Sequence, residues 1–173
     1  MANNILNHKG NQIGKSIKEE NCEKIIEEIF EISKQNSCSI TYPIDVLVGK
    51  NLNSVSKVKS LNEIENDDLI LDIGPKTIDK IKRVIENSET VLWNGPAGYF
   101  ENPNFAKGSY EIAKAIIKKN KNKSIYSVVG GGDTIALING IKAIKDFNFV
   151  STAGGAFLEY LEGKDLPGIK ALS

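Results

Sequence analysis

The chain has 173 residues, 40% hydrophobic and 25% charged, with 22 basic and 22 acidic side chains and so no formal net charge. That length suffices for one domain with a real core, and the neutral balance gives no global field favouring nucleic acid or acidic membranes. The opening MANNILNHKG is too polar for a signal-peptide core, and no apolar run is long enough to span a bilayer, so a cytoplasmic location is expected.

Residues 1–10 read as a helix closed near Gly10. Ser16 and Glu19 have capping-box spacing and could introduce a helix with Ile25, Ile26, Ile29, Phe30 and Ile32 on one face, Cys22 in register with them. Cys22 and Cys38 lack ligand spacing and read as reduced structural thiols. His8 is the sole histidine, which argues against a His-based zinc site or a Ser-His-Asp triad. SITYPIDVLVGK is β-branched and broken by Pro43, and residues 50–68 are polar, a loop with short strands.

DLILDIG is an apolar run ending at Gly74. A helix is expected over 77–87 with Ile78, Ile81, Val84 and Ile85 inward and Arg83, the only arginine, outward. TVLWNG reads as a strand, followed by a helix over about 105–119. SIYSVV then runs into Gly130-Gly131-Gly132-Asp133-Thr134 and a helix, and FNFV runs into Ser151-Thr152-Ala153-Gly154-Gly155-Ala156 and another. Apolar strands alternating with helices predict an α/β fold, a doubly wound Rossmann-like parallel sheet covered on both faces. Ligands bind such sheets outside the carboxyl ends of the strands, where DIGPK, WNGPAGYFE, GGGDT and STAGGA are all expected.

Each motif admits two readings. GGGDT lacks the lysine of a Walker A loop and is not GxGxxG. It is either a tight turn with Asp133 as helix N-cap, or a phosphate cradle of glycine N–H groups and Thr134, with Asp133 toward Mg²⁺. STAGGA is either a capped connection or a second anion pocket suited to a phosphoryl group in transfer. In WNGPAGYFE, Trp93 reads as packing, Pro96 and Gly98 fix the loop course, and Glu101 is a solvated carboxylate or an acceptor for sugar hydroxyls.

Taken together, MANNIL, LDIGPKT, VLWNGPAGYFE, FAKG, SVVGGGDT and VSTAGGAFLEYLEGKDLPGIKAL resemble the phosphoglycerate kinase family in order and spacing over almost the whole chain. The resemblance implies phosphoryl transfer between ATP-Mg²⁺ and 3-phosphoglycerate in glycolysis and gluconeogenesis, by an enzyme whose carboxyl-terminal domain binds nucleotide. It implies that Gly131, Gly132, Asp133 and Thr134 contact the ATP/ADP phosphates, with Asp133 toward Mg²⁺. It implies that Glu101 binds ribose, that Asn94 and Pro96 line the nucleotide site, and that Gly154 and Gly155 face the transferred phosphoryl group. Ala153, Phe157, Ile70, Ala97 and Tyr99 depart from the family text. Against the family pattern, residues 1–173 correspond to a truncated carboxyl-terminal nucleotide-binding domain lacking its first two strands, the basic residues for 3-phosphoglycerate and a phosphate-contacting lysine segment. The chain alone is therefore expected to be inactive, and to need a complementing fragment or self-association. The alternatives are a non-catalytic nucleotide-binding or interaction module, or a structural remnant.

Overall fold

The computed structural model describes residues 1–122 and 124–172. The chain divides into two compact units, one of Met1–Arg83 with Ala97–Glu111 and one of Val84–Pro96 with Ile112–Ser173.

In the first unit, α1 (Ala2–His8) buries Asn4, Ile5 and Leu6, and Gly10 ends the segment at φ +78°, where glycine carries no steric cost. The following helix, α2 (Glu23–Gln35), does not begin at the expected capping box. Cys22 is its N-cap residue, and the Cys22 Sγ receives Asn4 Nδ2 at 3.0 Å. Ser16 is used elsewhere: its hydroxyl donates to the Ile13 carbonyl and accepts from Ile70 N at 2.8 Å. The capping box that does form is Ser60–Glu63, at a single 3-10 turn. On α2 only Ile26 is buried, while Ile25, Ile29 and Ile32 are exposed, so the predicted apolar face exists but is mostly uncovered.

The sheet of this unit is antiparallel. Its centre is β1 (Asp45–Gly49), every residue of which is buried, and it pairs with β2 (Lys57–Ser60) and β3 (Leu69–Ile73). Val46, Val48 and Ile64 form its apolar cluster, with Leu61 and Ile70 against it. The expectation that DLILDIG joins the parallel sheet is therefore corrected. Apolarity reports burial on two faces, whereas the direction of pairing is set by the neighbouring strand.

Two helices start from this unit, and each is capped from a distance. At the start of α3 (Pro75–Glu86), Asp45 Oδ2 and Oδ1 accept from Lys76 N and Thr77 N at 2.9 and 2.8 Å. No acidic residue lies in the first turn of α3, so a carboxylate from β1 satisfies its orphan N–H groups. Ile78 and Ile85 are buried and Arg83 faces outward as expected, whereas Val84 is exposed. At the start of α4 (Lys107–Lys121), Asp72 of β3 plays the corresponding part.

The second unit holds a three-stranded parallel sheet, ordered β4 (Thr90–Asn94), β5 (Tyr126–Gly130), β6 (Phe149–Val150). Trp93 and Val129, paired in register, are buried on one face, as are Ala113 and Ile116 of α4 and Leu137 and Ile138 of α5 (Gly132–Gly140). The opposite face carries Leu92, Tyr126 and Phe149, 44%, 52% and 50% exposed. Two short helices follow, α6 (Gly155–Leu161) and α7 (Pro167–Lys170). The architecture is α/β, with a Rossmann-like parallel sheet that is incomplete. No helix among the described residues is long and apolar enough to cross a membrane.

Candidate functional site

The second unit gathers three of the four glycine-rich motifs at one end of its sheet. Asn94-Gly95-Pro96 follows β4, Gly131 to Thr134 follows β5, and Ser151 to Gly155 follows β6. These are the carboxyl ends of adjacent parallel strands, where ligands of open α/β sheets bind. DIGPK is the exception, since it follows β3 of the antiparallel sheet.

The central turn is shaped by its neighbours. Gly131 is the N-cap residue of α5 at φ +86°, and a Cβ there would stand 3.0 Å from Asn94 Oδ1. A Cβ on Gly130 would meet the Phe157 ring at 2.9 Å and Asn94 Nδ2 at 3.1 Å. Glycine at both positions lets backbone approach backbone and leaves the α5 N-terminus open. No side chain caps that helix. The reading of Asp133 as N-cap is thus replaced: Asp133 is the second helical residue, exposed, in the first turn where a negative charge is favoured. Gly132 is also exposed.

Thr134 has a different neighbourhood. It is fully buried, and its Oγ1 accepts from Gly95 N at 2.7 Å. The hydroxyl therefore locks the turn after β4 to the first turn of α5. Trp93 Nε1 donates to the Gly95 carbonyl at 2.8 Å, so both polar groups of Gly95, which stands at φ +106°, are engaged. The indole packs near Phe147, as the packing assignment expected.

After β6, Ser151 is buried, and its N–H donates to the Val129 carbonyl at 2.7 Å. Ser151 Oγ accepts weakly from Ala153 N at 3.4 Å. Gly154 takes φ +58° as N-cap of α6, again with no side-chain cap, and Gly154 and Gly155 are exposed.

Glu101 belongs to the first unit, exposed on the loop between Ala97 and Ala106. That loop is tightly held. Tyr99 N donates to the Leu71 carbonyl at 2.7 Å, Ala97 N to Ser109 Oγ at 2.9 Å, and Asn102 Nδ2 to the Leu52 carbonyl at 2.6 Å. Phe105 is fully buried at its far end.

Among the described residues, the acidic group close enough to share a cation is Glu65, Asp67 and Asp68, and two ammonium groups already occupy it. Lys50 Nζ lies 2.8, 2.5 and 2.9 Å from Glu65, Asp67 and Asp68, and Lys59 Nζ lies 2.7 Å from Asp68. Burial works against the Asp68 charge, but Lys59, the Glu65 N–H and Lys50 hold its carboxyl down at about 2. The cluster is a structural ion-pair network.

The sequence model of the phosphoglycerate kinase family matches residues 1–164. The chain belongs to the phosphoglycerate kinase family. Among curated members, that of Zymomonas mobilis subsp. mobilis is 42% identical over 174 aligned residues, and that of Xanthobacter autotrophicus 41%. Each alignment covers 99% of this chain and 44% of the relative. The solved phosphoglycerate kinase of Coxiella burnetii superposes with a TM-score of 0.91 at 37% identity, over 99% of this chain and 44% of that one. That of Pyrococcus horikoshii gives 0.70 at 28% identity. The chain thus spans less than half the length of these phosphoglycerate kinases.

Two carboxylates with structural reach were not singled out in sequence, Asp45 and Asp72. Their signal was a lone acid inside or at the edge of an apolar strand, in IDVLV and LILDI. A charge in such a place needs hydrogen-bond donors, and here two helix N-termini supply them.

Proposed function

We propose that this chain is the nucleotide-binding part of a phosphoglycerate kinase, holding ADP or ATP with Mg²⁺. The observation that carries the proposal is the uncapped N-terminus of α5, at the centre of three adjacent parallel strand ends, with the exposed Asp133 in its first turn. In this proposal the N–H groups of Gly131 and Gly132 bind phosphate oxygens, a favourable match of anion to helix N-terminus. Asp133 takes Mg²⁺ through carboxylate oxygen, which a hard cation prefers. Thr134 contributes by fixing the turn, and its hydroxyl serves Gly95. Asn94 and Pro96 line the nucleotide, Glu101 accepts from ribose hydroxyls, and Gly154 and Gly155 face the phosphoryl group in transfer.

Calorimetric titration with ADP tests this directly. Binding should require Mg²⁺ and should weaken at least tenfold in Asp133→Asn. Binding that ignores both the metal and the substitution would refute the role given to Asp133.

The same family resemblance assigns the groups that hold 3-phosphoglycerate to sequence outside these 173 residues. We propose accordingly that the purified chain turns over no substrate. Phosphoryl transfer rests on positioned positive charge, and loss of one arginine can cost about 10³–10⁵ in rate in other phosphoryl-transfer enzymes. The uncovered face with Leu92, Tyr126 and Phe149 supports a further requirement for a complementing segment, since parallel sheets are normally buried on both faces. Co-expression with the amino-terminal half of the Zymomonas mobilis relative should restore activity in a coupled assay. Robust turnover by the chain alone would overturn the proposal.

A further inference from the structure

The loop that carries Glu101 passes a single buried carboxylate at both of its ends, bonded to it at Gly108 and packed close against it at Gly98. Asp72 is 2% exposed, at the end of β3. Its Oδ2 accepts from Gly108 N in the first turn of α4 at 2.8 Å, and its Oδ1 accepts from Ile73 N at 2.8 Å. Gly98, at the near end of the loop, passes so close that a Cβ there would stand 2.5 Å from Asp72 Oδ1 and 2.6 Å from the Phe105 carbonyl. A Cβ at Gly108, beyond the far end, would come closer still to the same oxygen. Two glycines ten residues apart in no shared element thus both leave no room for a Cβ beside one carboxylate.

Elsewhere in the loop Phe105 is fully buried, and the bonds to other segments go to neutral acceptors. Tyr99 N, Ala97 N and Asn102 Nδ2 are bonded singly, each to a carbonyl or hydroxyl. A buried carboxylate accepting a helix-terminal N–H is a stronger and more directional restraint than any of these. Removing it would leave the Gly108 N–H buried without its partner, beside a void where the carboxylate stood.

We infer that Asp72 is a positioning residue for nucleotide binding, setting the course of the Gly98–Gly108 loop and with it the place of Glu101. This rests on the nucleotide role proposed for Glu101. Asp72 itself touches no ligand; it acts through the backbone at Gly98 and Gly108.

The test compares two probes on the purified chain, Mg·ADP and Mg·pyrophosphate, by calorimetry, in wild type, Asp72→Ala and Asp72→Asn. Pyrophosphate reports the phosphate turn, and ADP reports Glu101 as well. Asp72→Ala should weaken ADP about tenfold while pyrophosphate affinity stays within twofold. Asp72→Asn, which keeps one acceptor, should lose less. Hydrogen exchange in the same samples should quicken at residues 98–108 in Asp72→Ala, with the β5 amides unchanged. Equal loss of both probes, or no loss of either, overturns the inference. If wild type binds neither probe, the nucleotide proposal fails, and unchanged exchange at residues 98–108 would then separately overturn the positioning role.

Discussion

Replacing Thr134 by valine removes one oxygen at almost constant volume, and the consequence can be worked from the hydrogen bonds of Gly95. The Thr134 hydroxyl is buried and accepts from Gly95 N at 2.7 Å. Valine keeps the packing, so the loss is that of a made hydrogen bond plus the desolvation of a stranded N–H, about 1–3 kcal/mol. With a urea m-value of about 2 kcal/mol/M, a loss near 2 kcal/mol moves the unfolding midpoint down by about 1 M. The chain supplies its own probe: Trp93 is its only tryptophan, and the indole N–H donates to the carbonyl of the same Gly95. Urea unfolding followed by Trp93 emission should show a lower midpoint with an unchanged m-value in Thr134→Val, and near-complete recovery in Thr134→Ser. A midpoint shift below about 0.2 M in Thr134→Val would refute the claim that this hydroxyl holds the turn.

Three further outcomes are expected. Gly131→Ala forces a side chain into φ +86° and toward Asn94, and should cost about 1–2 kcal/mol in the same assay, with weaker phosphate binding; an unchanged midpoint would show that the turn relaxes freely. Burial pushes the Asp72 carboxyl up to about 6, against the opposing N–H groups of Gly108 and Ile73. The native state then holds a proton that the unfolded chain releases, so this contribution to stability is complete below about pH 4 and is lost as pH rises through 6, roughly 3 kcal/mol in all. Urea midpoints measured from pH 4 to 7 should fall more steeply in wild type than in Asp72→Asn, and parallel slopes would contradict the assignment. Lys119 Nζ donates to the Ile85, Glu86 and Ser88 carbonyls at and beyond the end of α3, so Lys119→Met should lose about 1–2 kcal/mol by thermal unfolding.

The bare face of the parallel sheet and the open side of α2 have one physical reading in common. Both carry apolar side chains in the period expected of a buried surface, and both leave them half exposed. For the sheet, Leu92, Val128 and Phe149 lie in register across all three strands.

What the sequence determined by itself was local and additive. Strand, glycine turn and helix succeed one another in sequence around Gly131 and Gly154, so these glycine-led helix starts were legible from residue type and order alone. The outward phase of Arg83 followed from the 3.6-residue period, and the family followed from motif order. Tertiary structure decided what depends on partners far apart in sequence. Ser16 has capping-box spacing, yet its hydroxyl donates to the Ile13 carbonyl and accepts from Ile70 N, 54 residues away, instead of capping a helix. Asp133 has the composition of an N-cap but sits inside the helix, because Gly131 can adopt the positive φ that the turn needs. LILDI became antiparallel because β1 was its neighbour, and burial is blind to strand direction. Asp45 and Asp72 look alike in sequence to any stray acid. Only the fold brings the first turns of α3 and α4 to them, and with those N–H groups in place a buried charge becomes a restraint.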